Sequence, residues 1–287
     1  PTAFSYRSVI HPDTAEESLI FAEVGGNDAL NPEVANSWTA GIVLTPGGAL
    51  DRLRFSADYY DIRLDGAIAS IGAQLLVNRC FDGATEFCSA VMLDEDENIV
   101  GIREIPFNLD QLILRGMDFE LAYSIPFADS SSLNLNSYVS YIAELTTIDS
   151  NRAIDRAGQT GQPYSQPSGV PNWSAYNAIT YERDQFSLAL GHRWIQGGKY
   201  DALLIGPEDP GYDPGLPNSI STNRVEGRHY FDMTATFRID RGFEFYATVN
   251  NLLDQDPPIA PGTSGATNNA LFDVVGRRYR VGTRLRF

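Results

Sequence analysis

Nowhere in the sequence do 18 apolar residues stand together, and that lack excludes a membrane-spanning helix. It does not exclude spanning strands, whose alternating residues escape a hydropathy window. Positive charge is also scarce. There are 21 basic against 37 acidic residues, a formal net charge of −16, where a nucleic-acid partner needs the opposite balance. The three histidines, His11, His192 and His229, are scattered. H-E-x-x-H, G-x-S-x-G and a phosphate loop are all absent, so no enzyme is expected. The chain has neither a starting Met nor a signal peptide, and it reads as a mature segment or a piece of a longer protein. At 43% apolar and 11% aromatic residues, it is too rich for a disordered chain.

Cysteine is nearly absent too. The two present, Cys80 and Cys88, share one Gly-containing stretch. That placement favours a local disulfide over two unrelated thiols, and with it an oxidising compartment such as the periplasm or cell surface. No Cys or His stands nearby at zinc-ligand spacing.

The sequence does contain alternation. In the last eleven residues Arg277, Tyr279, Val281, Thr283, Leu285 and Phe287 fall on one face, with Arg278, Arg280, Gly282, Arg284 and Arg286 on the other. That is period two, a strand with one apolar and one polar face. The same pattern places Phe231, Met233, Ala235, Phe237 and Ile239 opposite Asp232, Thr234, Thr236 and Arg238. It also separates Met117, Phe119, Leu121, Tyr123 and Ile125 from Asp118 and Glu120. Nine strands are expected, at 37–46, 52–64, 112–126, 132–143, 173–182, 186–195, 229–239, 243–253 and 277–287. No helix-period segment competes.

Short and long connections alternate. Pro46-Gly47-Gly48, the stretch around Ala128-Asp129, Arg183-Asp184 and Asp240-Arg241-Gly242 are short; 65–111, 144–172, 196–228 and 254–276 are long. An antiparallel transmembrane β-barrel has this rhythm, with short periplasmic turns and long outer loops. Aromatics gather toward both strand ends, as two girdles would: Trp38, Trp173, Trp194, Phe231 and Tyr279 outside, and Tyr123, Tyr181, Phe186, Phe237, Phe243 and Phe287 inside. Single-chain bacterial barrels have even strand numbers, so nine strands imply a segment of a larger barrel. Residues 1–36 read as an extracellular loop leading into the first strand, and 37–287 as the barrel strands.

The chain resembles the C-terminal part of TonB-dependent outer-membrane receptors. The likeness is carried by Gly26-Asn27-Asp28-Ala29-Leu30-Asn31-Pro32-Glu33 before Ser37-Trp38-Thr39-Ala40-Gly41, by Ser56-Ala57-Asp58-Tyr59-Tyr60-Asp61-Ile62, by Arg115-Gly116-Met117-Asp118-Phe119-Glu120, by Asn250-Asn251-Leu252-Leu253-Asp254, and by the ending that closes on Phe287. The Cys80–Cys88 loop is similar to loops of such receptors. The resemblance implies a barrel of about 22 strands around a plug, in the outer membrane of a Gram-negative bacterium, with this chain giving the last nine. It implies active import of a large scarce nutrient, an iron chelate or oligosaccharide for example. The implied partners are the remaining strands and plug, the TonB complex, lipid and lipopolysaccharide, and the imported ligand. A passive porin or adhesin-type barrel is the alternative; a soluble β-sandwich binding module is the third.

Ligand contacts are expected in the long loops and at outer strand ends: Phe81, Phe87, Tyr164, Trp173, Trp194, Tyr200, Tyr212 and Asn269. Aromatic faces there would stack on sugars or aromatic chelators, though girdle duty also accounts for Trp173 and Trp194. The polar face would offer Asp118, Glu120, Asp232, Arg238, Glu244, Arg278, Arg280, Arg284 and Arg286 to cross-strand ion pairs or to the plug. Asp94, Glu95, Asp96 and Glu97 form a solvated acidic loop or, as a cofactor site, a weak calcium site.

Overall fold

The computed structural model describes residues 3–14, 16–109, 111–149, 152–161, 168–239, 242–260 and 267–285. The chain divides into two compact units. The first comprises 1–36, 63–112 and 147–153, and the second 37–62, 113–146 and 154–287.

The second unit is built on a meander of nine antiparallel strands: β1 (Val34–Leu44), β2 (Leu53–Asp65), β3 (Gln111–Pro126), β4 (Ser132–Asp149), β5 (Trp173–Arg183), β6 (Phe186–Ile195), β7 (Arg228–Arg238), β8 (Phe243–Asn250) and β9 (Arg278–Leu285). Each pairs with its neighbour in sequence, leaving β1 and β9 as edges; Arg152–Asp155 pairs with β4 off this path. All nine expected strands are present, and the long connections are 66–110, 150–172, 196–227 and 251–277.

The short turns have local causes. Between β5 and β6 only Asp184 and Gln185 intervene, and Asp184 takes a left-handed backbone (φ 47°), as a two-residue hairpin requires and Asp tolerates. Between β3 and β4, the Asp129 carboxylate accepts hydrogen bonds from the Ser131 hydroxyl (2.6 Å) and amide (3.2 Å). These bonds hold Asp129 below the usual carboxylate range, with Arg183 adding to the effect. The turn between β7 and β8 includes Asp240 and Arg241, which lie outside the described residues.

Register fixes the two faces. Across one face run Ile179, Leu190, Met233, Val249 and Tyr279 in paired sequence, and below them Phe186, Phe237, Phe245 and Thr283. Many of these are open to the surroundings: Phe237 is 46% exposed, Phe245 44% and Tyr279 72%. A face this wide and this apolar calls for an apolar solvent or a partner. The opposite face carries Thr180, Ala189, Thr234, Thr248 and Arg280 in the same paired fashion.

In the first unit, part of the expected N-terminal loop is regular. Ala3–Ile10 and Glu17–Val24 form a hairpin, and the second of these strands pairs in parallel with Ile99–Glu104, which in turn pairs with Val91–Leu93. One side of this sheet is core: Val9, Ile20, Ala22 and Ile102 are at most 3% exposed. Its other side bears Phe4, Tyr6, Leu19 and Phe21, all exposed. Apolar residues on both faces erase the alternation that announces a half-buried strand.

The expectation of no helix is also corrected. Helix α1 (Ala73–Phe81) buries Ala73, Leu76 and Val77, and a short turn of helix, α2 (Thr85–Cys88), follows. Nine residues give little more than two turns, too short for periodicity to stand out, and helices of this length form by docking an apolar face. Cys80 of α1 and Cys88 of α2 are joined in a disulfide with Cα atoms 4.7 Å apart, as the sequence favours.

Candidate ligand-facing recess

The polar face of the second unit is hollowed where β3 to β6 meet residues of two long connections. The recess holds about 590 Å³, between Asp118 and Glu120 of β3, Tyr138 and Ser140 of β4, Ser174 and Tyr176 of β5, Arg193 and Ile195 of β6, and the loop residues Val170, Pro171, Ala270 and Leu271. Alternation delivers these side chains. Tyr138 pairs with Tyr176 and Ser140 with Ser174, so their side chains share the polar face.

Arg193 organises the rim. Its guanidinium donates to the Leu271 carbonyl at 2.8 Å and lies 4.7 Å from the centroid of the Tyr230 ring, a cation–π arrangement. The Tyr230 hydroxyl accepts the Asp273 amide at 3.2 Å, and Asp273 takes an ion pair from Arg278 at 3.4 Å. Strand residues thus tie the connection 268–273 over the face. A smaller hollow of about 210 Å³ continues the recess between Arg193, Tyr230, Asp232, Asn269 and Arg278.

The neighbouring loops are packed. Ile195, Tyr200, Val225, Tyr230, Ala260 and Phe272 form one apolar cluster. Asn223, fully buried, donates to the Leu204 carbonyl at 2.8 Å and accepts the Asp201 amide at 3.0 Å. Asp209 accepts from the Gly206 amide (3.0 Å) and Lys199 (2.6 Å), and these bonds hold its carboxyl below the ordinary range. Buried polar loops are stable only when so satisfied.

The expected contact residues disperse. Asn269 lines the smaller hollow. Tyr200 is 6% exposed within the loop cluster, where burial pushes its phenol up. Tyr212 is half-buried in the connection 196–227. Trp173 stacks on Tyr141 at 4.4 Å and Trp194 lies parallel to His229 at 6.1 Å, both on the apolar face, and Trp194 also borders the recess. Phe87 is buried in the first unit against Phe107, and Phe81 packs on the same core and on His11. Tyr164 lies outside the described residues.

Of the polar-face set, Asp118 accepts the Ser140 hydroxyl at 2.7 Å, Asp232 accepts the Asn251 amide at 2.8 Å, and Glu120 is exposed in the recess. Glu244 pairs with Arg284 at 2.7 Å and Arg238 at 3.5 Å, residues directly opposite it on both neighbouring strands. Arg280 is exposed opposite Thr248. Arg286 lies outside the described residues. In the acidic stretch, the Asp94 carboxylate accepts the amides of Asp96 and Asn98 and the Asn98 side chain; the bonds from Asn98 chiefly hold it low. Its oxygens are committed to the turn, and among the described residues no group of three or more His, Cys, Asp or Glu could hold a metal ion.

Sequence reading missed Tyr138, Tyr176, Arg193 and Tyr230. On β6 the polar-face neighbours of Arg193 are Ser187, Ala189, Gly191 and Ile195, so a single serine and no other charge marks the face. The paired Tyr138 and Tyr176 are aromatic on the polar side, against the pattern.

The family profile described as "TonB dependent receptor-like, beta-barrel" matches residues 3–252. The chain belongs to this family. Among solved structures, a mutant ferric enterobactin receptor (PfeA) from Pseudomonas aeruginosa is 13% identical with a TM-score of 0.57, over 98% of this chain and 35% of that one. The siderophore receptor PirA from Acinetobacter baumannii is 13% identical with a TM-score of 0.57, over 100% and 38%. The copper transporter OprC is 15% identical with a TM-score of 0.51, over 91% and 32%. The chain therefore spans about a third of the length of these proteins, and at such identity the likeness is one of fold. No curated protein matches the sequence. Membership accounts for the open meander: its two edge strands are those of a barrel segment.

Proposed function

We propose that this chain supplies barrel strands and outer loops to a TonB-dependent receptor of a Gram-negative outer membrane, which imports a large scarce solute without altering it covalently. One observation carries the reading: a meander whose one face is exposed and apolar has, on its other face, a recess roofed by its own long connections. The apolar face suits lipid, and the polar face suits an aqueous lumen with a plug. Energy would come through the plug and the TonB complex.

For the cargo we favour a metal chelate of neutral or positive charge. Asp118 and Glu120 line the recess and would repel an anion, while Tyr138 and Tyr176 offer ring faces to an aromatic or sugar-like chelator. Solved structures of similar fold include receptors named for siderophores and a transporter named for copper.

The test is uptake by the full receptor in cells deprived of their own receptors. Labelled chelates of differing charge are supplied with and without a protonophore. Uptake of at least one chelate that ceases with the protonophore supports the proposal. Uptake that is indifferent to the protonophore favours the passive pore.

A further inference from the structure

The sheet of the first unit is core on one face and bare on the other. On the bare face Phe4, Tyr6 and Ser8 lie opposite Glu23, Phe21 and Leu19. Phe21 stacks on Phe4 with ring centroids 5.1 Å apart and meets Tyr6 edge-on at 6.3 Å. The strip continues across Gly101, which pairs with both Phe21 and Met92. A Cβ at Gly101 would stand 3.0 Å from the Met92 methyl group, so the thioether lies over this glycine on the same face. Tyr6 is 69% exposed and Leu19 73%, and an open apolar strip of this kind marks an interaction surface.

Negative charge gathers at one end of the strip. Glu17–Val24 and Ile99–Glu104 pair in parallel, so both strands start from that end. The turn holding Asp13 and Glu16 leads into the first, and the turn Asp94 to Glu97 leads into the second. All of these carboxylate residues, and Glu17 beside them, are exposed. Among the described residues the bare face has one basic side chain, Arg103, and Glu23 takes it at 3.5 Å. The first unit as a whole has 16 acidic and 5 basic residues, which is −11 of the chain's formal −16.

We propose that this face docks a basic, amphipathic segment of a partner protein. Its apolar side chains lie on the ring strip, and its lysines or arginines reach the carboxylates at the acidic end. Charge complementarity selects this occupant. An anionic partner, or an anionic lipid surface, is repelled by the unit's own field. An aromatic and methionine centre with charges at its rim is the composition of a protein interface, and ring faces attract ammonium and guanidinium groups besides. The face belongs to a different unit from the recess, so the inference does not rest on the transport reading.

The test uses the full receptor in a non-ionic detergent. Leu19→Cys is first treated with a charged maleimide, without reductant, so that the Cys80–Cys88 bond stays closed. Rapid labelling is expected; protection would mean that the rest of the receptor covers the face, and would overturn the proposal. A fluorescent peptide of alternating leucine and lysine is then titrated by anisotropy, beside one of alternating leucine and glutamate. The lysine peptide should bind saturably and more weakly as salt is raised, and the glutamate peptide should not bind. The Phe4→Ser/Phe21→Ser pair leaves every charge in place and should weaken binding about tenfold, as loss of central aromatic contacts does. Glu16→Lys/Glu95→Lys should weaken it as well. Both of those residues are exposed in turns outside the sheet, so this pair carries the test if the serine variant folds poorly. Absence of binding, equal binding of the two peptides, or unchanged binding in either folded variant overturns the proposal.

Discussion

Single side chains decide how the polar face is held. Glu244 serves two arginines, and its own side chain is 16% exposed against 57% for Arg284 and 52% for Arg238. Exposed pairs contribute about 0.2–1 kcal/mol each, so Arg284→Ala should lower thermal stability only slightly and leave ligand choice intact. Glu244→Ala strands two cations and should cost more. Thermal unfolding in detergent checks the order; an Arg284→Ala variant with an altered ligand profile would contradict it. The alternation of β8 and β9 made these residues legible from sequence. In contrast, Arg193 was hidden because its strand has no other charged residue on that face. Removing it should free the connection 268–273 and weaken ligand binding, by about tenfold if one or two contacts worth 1–1.5 kcal/mol are lost. Binding measured on Arg193→Ala with native barrel yield is the check.

Asp209 gives a residue-scale dependence on pH. Its folded-state pKa is depressed, chiefly by the Gly206 amide and then by Lys199. A depressed acid contributes stability that is fully present above its unfolded pKa, about 3.9, and is lost as pH falls through the lower folded value. The 200–223 connection should therefore resist proteolysis evenly from neutrality to about pH 5 and become cleavable by pepsin in stronger acid. Asp209→Asn should be cleaved readily at neutral pH by chymotrypsin, which has Tyr and Leu sites within the connection. Equal resistance of the two proteins would refute this role.

Among elements, the strands were readable and the loop unit was not. Strands announce themselves by alternation, and even their turns, at Asp184 and at Asp129–Ser131, have recognisable chemistry. Helix α1 is held by its docked face and by the Cys80–Cys88 link. Closing a loop this short removes about 2.5 kcal/mol of unfolded-state freedom. A Cys80→Ser/Cys88→Ser pair should raise protease sensitivity within 73–90 while leaving the nine strands assembled. Glycines give a second contrast. A Cβ at Gly282 would meet the Tyr246 hydroxyl at 2.5 Å, whereas one at Gly116 would meet the backbone carbonyl of Tyr141 at 2.5 Å as well as Tyr60. A ring can swing aside and a paired strand cannot. Gly116→Ala should thus cost about 1–3 kcal/mol and Gly282→Ala less, as compared by thermal melting.

At the scale of the molecule, the two-faced meander is the central claim. It was legible because a one-residue step in a strand reverses its face, and nine strands keep that rule over long distances. The recess was not legible, since it depends on which loops fold back and where they are tied. The decisive measurement places single cysteines along β7 in a background with Cys80 and Cys88 replaced, in the full receptor within outer membranes. Positions 231, 233, 235 and 237 should react with a lipid-partitioned maleimide and resist a charged one. Positions 232, 234 and 236 should do the reverse when the lumen is accessible. Alternation in phase with the register is the predicted result. Charged-reagent access at odd and even positions alike would contradict the account, and would place these strands in a water-soluble sheet.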